Sequence, residues 1–159
     1  MTNVEIQPGR PEHAQAVAAL WTQMARQHTG FDAQRWEWAA DAVAVARDRF
    51  AERTADPDAV ALVAVDAGGR VVGFLQGTID ENRPARAVRL KGNVHTLVVD
   101  EPWRGRGVGE RLMKAAIERF REKGAGELVL HCATANEGGR RFYERLGMRA
   151  VSHEMYCRL

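Results

Sequence analysis

The chain has 159 residues, 45% of them hydrophobic and 28% charged, which suits an ordinary globular protein with one core and one domain over residues 1–159. No apolar run is long enough to cross a bilayer, Ala59–Val65 being typical. Net charge is +2, but residues 1–80 carry 7 Lys+Arg against 11 Asp+Glu (−4) and residues 81–159 carry 16 against 10 (+6), which favours an anionic ligand on the second half.

The opening residues, M-T-N-V-E-I-Q, lack a basic region followed by an apolar one, so no secretory signal is expected. Cys132 and Cys157 have no CxxC or zinc spacing, and the five histidines have no companion-ligand spacing. A reducing, cytoplasmic location without metal or membrane association is expected.

Val4–Gln7 reads as a first strand, closed by Pro8, Gly9 and Pro11. Ala14, Val17, Ala18, Trp21, Met24 and Ala25 recur at helical spacing through about Gln27. A second stripe, Trp36, Ala39, Ala40, Val43, Ala46 and Phe50, predicts a helix from about Ala33 to Arg53. Ala59–Val65 and Val71–Ile79, joined by Ala67-Gly68-Gly69-Arg70, read as a hairpin. Gly73 and Gly77 within it suggest a bulge or a close backbone approach. Asp80–Lys91 reads as a polar loop containing Arg83, Arg86 and Arg89, and Asn93–Val99 as the next strand.

A helix over Gly107–Lys123 turns Val108, Leu112, Ala116, Ile117 and Phe120 inward. Glu127–Cys132 follows as a strand. Asn136 caps a helix through Leu146, with Gly147 past its end. Met148–Leu159 is expected to supply one or two closing strands. A strand–helix–strand crossover of this length pairs Asn93–Val99 with Glu127–Cys132 in parallel. The fold class is therefore α/β with a mixed sheet and helices on both faces.

The centre of the chain, V-H-T-L-V-V-D-E-P-W-R-G-R-G-V-G from Val94 to Gly109, runs from strand into glycine-rich turn into helix. Such a turn offers backbone N–H groups and a helix N-terminus to an anion. Gly105, Gly107 and Gly109 allow close approach, and Arg104 and Arg106 add charged donors. The ligand should carry phosphates. A P-loop does not fit, because Val108-Gly109-Glu110 stands where Gly-Lys-Ser/Thr is needed. A dinucleotide fingerprint does not fit either, because the spacing is G-x-G-x-G and lies mid-chain.

Arg104-x-x-Gly107-x-Gly109 after Leu97-Val98-Val99 resembles the acyl-CoA pyrophosphate loop of the GNAT superfamily of N-acetyltransferases. Asn136 followed by Phe142-Tyr143-Glu144-Arg145-Leu146-Gly147-Met148 is similar to the family's second signature, with Gly139 where alanine is usual and Met148 where phenylalanine is usual. The resemblance implies the acyl-CoA N-acyltransferase fold and acetyl-CoA as cosubstrate. It implies that Leu97, Val98 and Val99 face the pantetheine arm with their backbone groups. Arg104, Gly105, Arg106, Gly107, Val108, Gly109 and Glu110 would then cradle the pyrophosphate. Asn136 would bond the pantetheine region, and Tyr143 would lie near the thioester sulfur. A homodimer is common in the family.

The chemistry itself needs a neutral amine, a donor for the oxyanion and a proton for the departing thiolate. Tyr143 can supply the last; its bland alternative is a core aromatic beside Phe142. The family most often places a glutamate base on the central strands, and this chain instead has His95 and His131 there. Histidine as a residue type titrates near neutrality, which suits the task, and both could equally be satisfied buried histidines. Strand alternation groups His95, Leu97 and Val99 on one face and Val94, Thr96 and Val98 on the other. Glu81 is a weaker candidate base. A Cys132–His131 pair is not expected, because strand neighbours point to opposite faces. Arg83, Arg86 and Arg89 could read an acidic acceptor or the cofactor's 3′-phosphate, or line a solvated loop.

The expected function is transfer of an acetyl group from acetyl-CoA to a primary amine in a ternary complex. The rival is a noncatalytic acyl-CoA-binding sensor or scaffold. Nucleic-acid binding is disfavoured, because Arg104, Arg106, Arg111, Lys114, Arg119 and Arg121 are interleaved with Glu110, Glu118 and Glu122.

Overall fold

The computed structural model describes residues 3–159. Five strands, β1 (Val4–Pro8), β2 (Ala59–Asp66), β3 (Val71–Glu81), β4 (Leu90–Val99) and β5 (Glu127–Leu130), form one sheet in that order. Pairing is antiparallel from β1 to β4 and parallel between β4 and β5. Helices α1 (Ala14–Phe31) and α2 (Ala42–Ala55) precede β2, α3 (Val108–Glu122) is the crossover, and α4 (Glu137–Arg145) follows β5.

Each face of the sheet buries its own core. On one face Val108, Leu112, Met113, Ala116 and Phe120 of α3 pack on Val60, Leu62, Val72, Leu75 and Val94. On the other, Val17 and Leu20 of α1 and Phe50 of α2 pack on Val63, Phe74 and Val98. The strand glycines Gly77 and Gly92 let α3 settle this closely: a Cβ at Gly77 would lie 2.9 Å from the Phe120 ring, and one at Gly92 would lie 2.7 Å from it.

Three expectations are corrected. The second helix starts at Ala42, not near Ala33. Asp32 caps the intervening turn, its Oδ1 accepting the N–H groups of Gln34 and Arg35, both at 3.0 Å. The tryptophans of that segment pack back on α1, Trp38 edge-on to Trp21 at 5.0 Å and Trp36 edge-on to His28 at 5.1 Å. The Asp80–Lys91 loop is shorter than expected, because β3 continues to Glu81 and β4 begins at Leu90. Finally, Met148–Leu159 forms no strand. Side-chain links tie this tail to the α1–α2 connection: Arg35 pairs with Glu154 at 2.7 Å, the Tyr156 hydroxyl donates to the Gln34 carbonyl, and Arg158 pairs with Glu37.

Candidate active site

Two breaks in the sheet's regularity create the site. The first is where β4 and β5 stop pairing. Their register runs from Lys91↔Glu127 to Val94↔Leu130, and β4 then continues five residues to Val99 without its parallel neighbour. The main-chain groups of Leu97, Val98 and Val99 on that side are left free of β5. β5 ends at Leu130, short of the expected Cys132, so His131 and Cys132 lie beyond the strand.

The loop that follows β4 has the geometry that its glycines suggest. Gly105 and Gly107 have φ of 72° and 79°, left-handed values that side-chain-bearing residues adopt at a cost. Gly107 is the residue before α3, and its carbonyl accepts the Arg111 N–H at 3.1 Å. Among the described residues, no N–H from Gly105 through Glu110 has a hydrogen-bond partner within the chain. Six successive donors at the positive end of a 15-residue helix form a cradle that fits a diphosphate. Arg104 Nε donates to the Val99 carbonyl at 3.0 Å, tying the loop to the end of β4. Arg106 lies over the Trp103 ring, 5.5 Å from its centroid. Glu110 pairs with Lys114 at 2.6 Å.

Asn136 serves the fold directly: its Oδ1 accepts the Gly139 N–H at 2.9 Å and caps α4. A Cβ at position 139 would sit 2.5 Å from the Asn136 amide nitrogen, which explains glycine there. Behind the cap, Phe142 and Tyr143 meet edge-on at 5.1 Å and pack against the α3-side core. Burial, with a smaller contribution from Cys132, pushes the Tyr143 phenol up to about 12. The group therefore remains a protonated donor across the neutral range. The Cys132 thiol is also raised by burial, which makes it a poor nucleophile.

The second break is a bulge in β4. Gln76 pairs with Thr96 and Gly77 with Val94, so His95 has no partner on β3. The extra residue breaks the strict alternation expected from the sequence. Val94, Leu97 and Val99 pack on the α3 side, and Val98 packs on the α1/α2 side. His95 does not share a face with Leu97 and Val99. It points instead to Thr78 of β3, its Nε2 lying 2.8 Å from Thr78 Oγ1. The Thr78 hydroxyl donates to Asp80 Oδ1 at 2.8 Å, and Asn93 Nδ2 donates to Asp80 Oδ2 at 3.0 Å. Nearby, Gln76 is buried and its amide reaches Thr96 Oγ1 at 3.4 Å, while its Oε1 has no partner.

Burial pulls the His95 pKa below its ordinary value, and Arg53 and Arg49 of α2 and His131 add to this, while Asp80 opposes it. Burial also works against the charge of Asp80, but the bonds from Asn93 and Thr78, with His95 and Lys91, hold its carboxyl below the usual range. The structure thus brings His95 into a network and leaves His131 with no hydrogen-bond partner among the described residues, although both side chains are exposed. Glu81 is exposed and pairs with Leu90 at the opposite end of β4 from Val99. Arg86 pairs with Glu127 at the start of β5 at 3.6 Å, and Arg89 donates to the Pro84 carbonyl within its own loop at 2.6 Å, so both have partners within the chain. Thr78 and Asp80 were not singled out by the sequence reading. Their signal was Gln76, Thr78 and Asp80 at every second place in an otherwise apolar strand, a polar stripe on a face that should be core.

Residues 18–148 match the acetyltransferase (GNAT) family. The chain belongs to the GNAT acetyltransferase family. Among its relatives, a mycothiol acetyltransferase of Propionibacterium freudenreichii subsp. shermanii is 38% identical over 112 residues, 69% of this chain and 34% of the relative. A glucosamine 6-phosphate N-acetyltransferase of Oryza sativa subsp. japonica is 32% identical over 102 residues, 64% of this chain and 60% of the relative. The chain thus spans between about a third and three-fifths of these two relatives. The GNAT fold is shared with a tetramutant protein from Bacillus halodurans (TM-score 0.86, 24% identity, 98% and 99% of the two chains). It is shared as well with an aminoglycoside N-acetyltransferase solved in complex with CoA (TM-score 0.78, 17% identity, 100% and 96%).

Proposed function

We propose that this GNAT chain transfers the acetyl group of acetyl-CoA to a primary amine by direct attack in a ternary complex. The observation that carries the reading is the run of unpartnered N–H groups from Gly105 to Glu110 beside the free end of β4. A diphosphate seated there directs the pantetheine arm along Leu97–Val99, with His95 on the α1/α2 side of β4 and Tyr143 of α4 on the α3 side.

Acetyl-CoA supplies an activated acyl carbon. The amine nitrogen bonds to that carbon, the carbon–sulfur bond breaks, and one proton passes from nitrogen to sulfur overall. His95 is the base that takes the proton from nitrogen. Its depressed pKa keeps it neutral, and so able to accept, at physiological pH. His131 is the second candidate base, and the absence of a partner to fix its ring makes it the weaker one. Tyr143, held protonated by burial, donates to the leaving sulfur. General acid–base groups of this kind contribute roughly 10²–10⁴-fold each. The acceptor stands on the α1/α2 side, where His95, Thr78 and Thr96 give the sheet its polar stripe. We place the protein in the cytoplasm, with a homodimer as its assembly and no nucleic-acid or membrane partner.

The test begins with thermal shift in acetyl-CoA, followed by amine-dependent thiol release from acetyl-CoA across a library of primary amines. The library starts with glucosamine 6-phosphate and peptide N-termini, which the names of relatives suggest. Stabilisation together with amine-dependent release supports the proposal. Stabilisation with no release from any amine would replace it with an acyl-CoA sensor, and no stabilisation would overturn it.

A further inference from the structure

The His95 network contains one ambiguous proton, and the chemistry of its members removes the ambiguity. Thr78 has a single hydroxyl hydrogen and two polar neighbours, Asp80 Oδ1 and His95 Nε2, each at 2.8 Å. A carboxylate held ionised can only accept, and both oxygens of Asp80 are engaged, one by Thr78 and the other by Asn93. The Thr78 hydrogen therefore goes to Asp80. The oxygen of Thr78 then presents only lone pairs to the ring, so His95 Nε2 must carry the hydrogen and donate.

We propose that Thr78 and Asp80 are positioning residues that hold neutral His95 in its Nε2–H tautomer, leaving the Nδ1 lone pair to take the proton of the acceptor amine. This deepens the reading of His95 as the base and rests on it. The logic is that of a carboxylate orienting a histidine, with a hydroxyl interposed. It assigns the bulge a purpose. In the register set by Leu97 and Val99, strict alternation would turn His95 onto the α3 side, away from Thr78; the extra residue turns it to the α1/α2 side. Asn93, the cross-strand partner of Thr78, completes the chain by fixing the second oxygen of Asp80.

Groups facing His95 come from three elements and the segment after a fourth: Arg49 and Arg53 from α2, Thr78 and Asp80 from β3, Asn93 from its own strand, and His131 after β5. The arginines favour the neutral ring, and Asp80 favours the charged one. Substituting Asp80 by asparagine must therefore lower the His95 pKa further. Loss of the Thr78 hydroxyl removes the partner of Nε2–H without changing any charge.

The test is nitrogen and proton NMR of ¹⁵N-histidine-labelled protein without substrate, comparing wild type with Thr78→Val, Thr78→Ser and Asp80→Asn, and using His95→Gln to assign the ring. Wild type should show His95 as the Nε2–H tautomer in its ring nitrogen shifts, with a detectable Nε2 proton resonance. That proton resonance should persist in Thr78→Ser, disappear in Thr78→Val, and accompany a lowered His95 pKa in Asp80→Asn. An Nδ1–H tautomer in wild type would overturn the proposal, as would a Thr78→Val spectrum identical to wild type. Thr78→Val and Asp80→Asn nearly preserve side-chain shape, and the pKa readout of Asp80→Asn keeps the question decidable if Thr78→Val folds poorly. The reading of His95 as base has its own readout: if His95→Gln retains wild-type amine-dependent thiol release while the ring tautomer is as stated, the base is elsewhere and the positioning network stands without it.

Discussion

The two halves of the proposed site are made of different material. The proposed cofactor side, Gly105 to Glu110, is backbone: free N–H groups, two left-handed glycines and a helix terminus. The proposed acceptor side is side chains: a histidine on a bulge, a threonine and an aspartate from the neighbouring strand, and two arginines from α2. A backbone site demands little of the side chains around it and serves any acyl-CoA. A side-chain site can be retuned residue by residue for a new amine while the cofactor side stays unchanged.

The sharpest way to break this division is at Tyr143, the side chain proposed to donate to the leaving sulfur. Tyr143→Phe should lower kcat by about 100-fold with the KM for acetyl-CoA unchanged, read by steady-state kinetics. Equal kcat would return Tyr143 to a packing role beside Phe142. Next comes the backbone cradle. A Cβ at Gly107 meets nothing within 4 Å, so Gly107→Ala isolates the conformational cost of its φ of 79°. At about 1–2 kcal/mol, that cost should raise the KM for acetyl-CoA by about tenfold and leave kcat alone.

On the acceptor side, Arg53→Gln removes a positive neighbour that disfavours protonated His95. As the proposed base, His95 works when neutral, so activity should be lost as pH falls through its pKa, which burial and Arg53 hold below the ordinary value. The acid limb of the pH–kcat profile should therefore lie below that of an unperturbed histidine in wild type and move to higher pH in Arg53→Gln. The smallest effect is structural. Asn136→Ala removes the α4 cap at a cost of about 1 kcal/mol, a fall of roughly 2–4 °C in Tm that Asn136→Asp should largely restore.

The same division explains what could be read in advance. The loop is a local object: glycine spacing, a preceding strand and a following helix lie within one short stretch, and the order of β4, α3, β5 and α4 follows from periodicity and caps. Asn136 and Gly147 ended α4 where its capping residues said they would, Gly147 with φ of 85°. Gly77 marked the place of the bulge, but the face of His95 was not legible, because which residue of the facing strand is left over depends on the pairing of two strands and not on either one alone. The start of α2 was misplaced because Trp36 has helical spacing but packs on His28 from a turn that Asp32 caps. The tail has strand-forming residues, Val151 and Tyr156 among them, yet its described links are ion pairs and a hydrogen bond to the segment after α1.

The most direct measurement compares CoA with pantetheine, which lacks the pyrophosphate and the nucleotide, by isothermal titration of wild type and Gly107→Ala. If the free N–H groups of the loop grip the diphosphate, CoA should bind wild type at least about 100-fold more tightly than pantetheine. The gap should narrow in Gly107→Ala. Equal affinity of the two ligands for wild type would contradict the account.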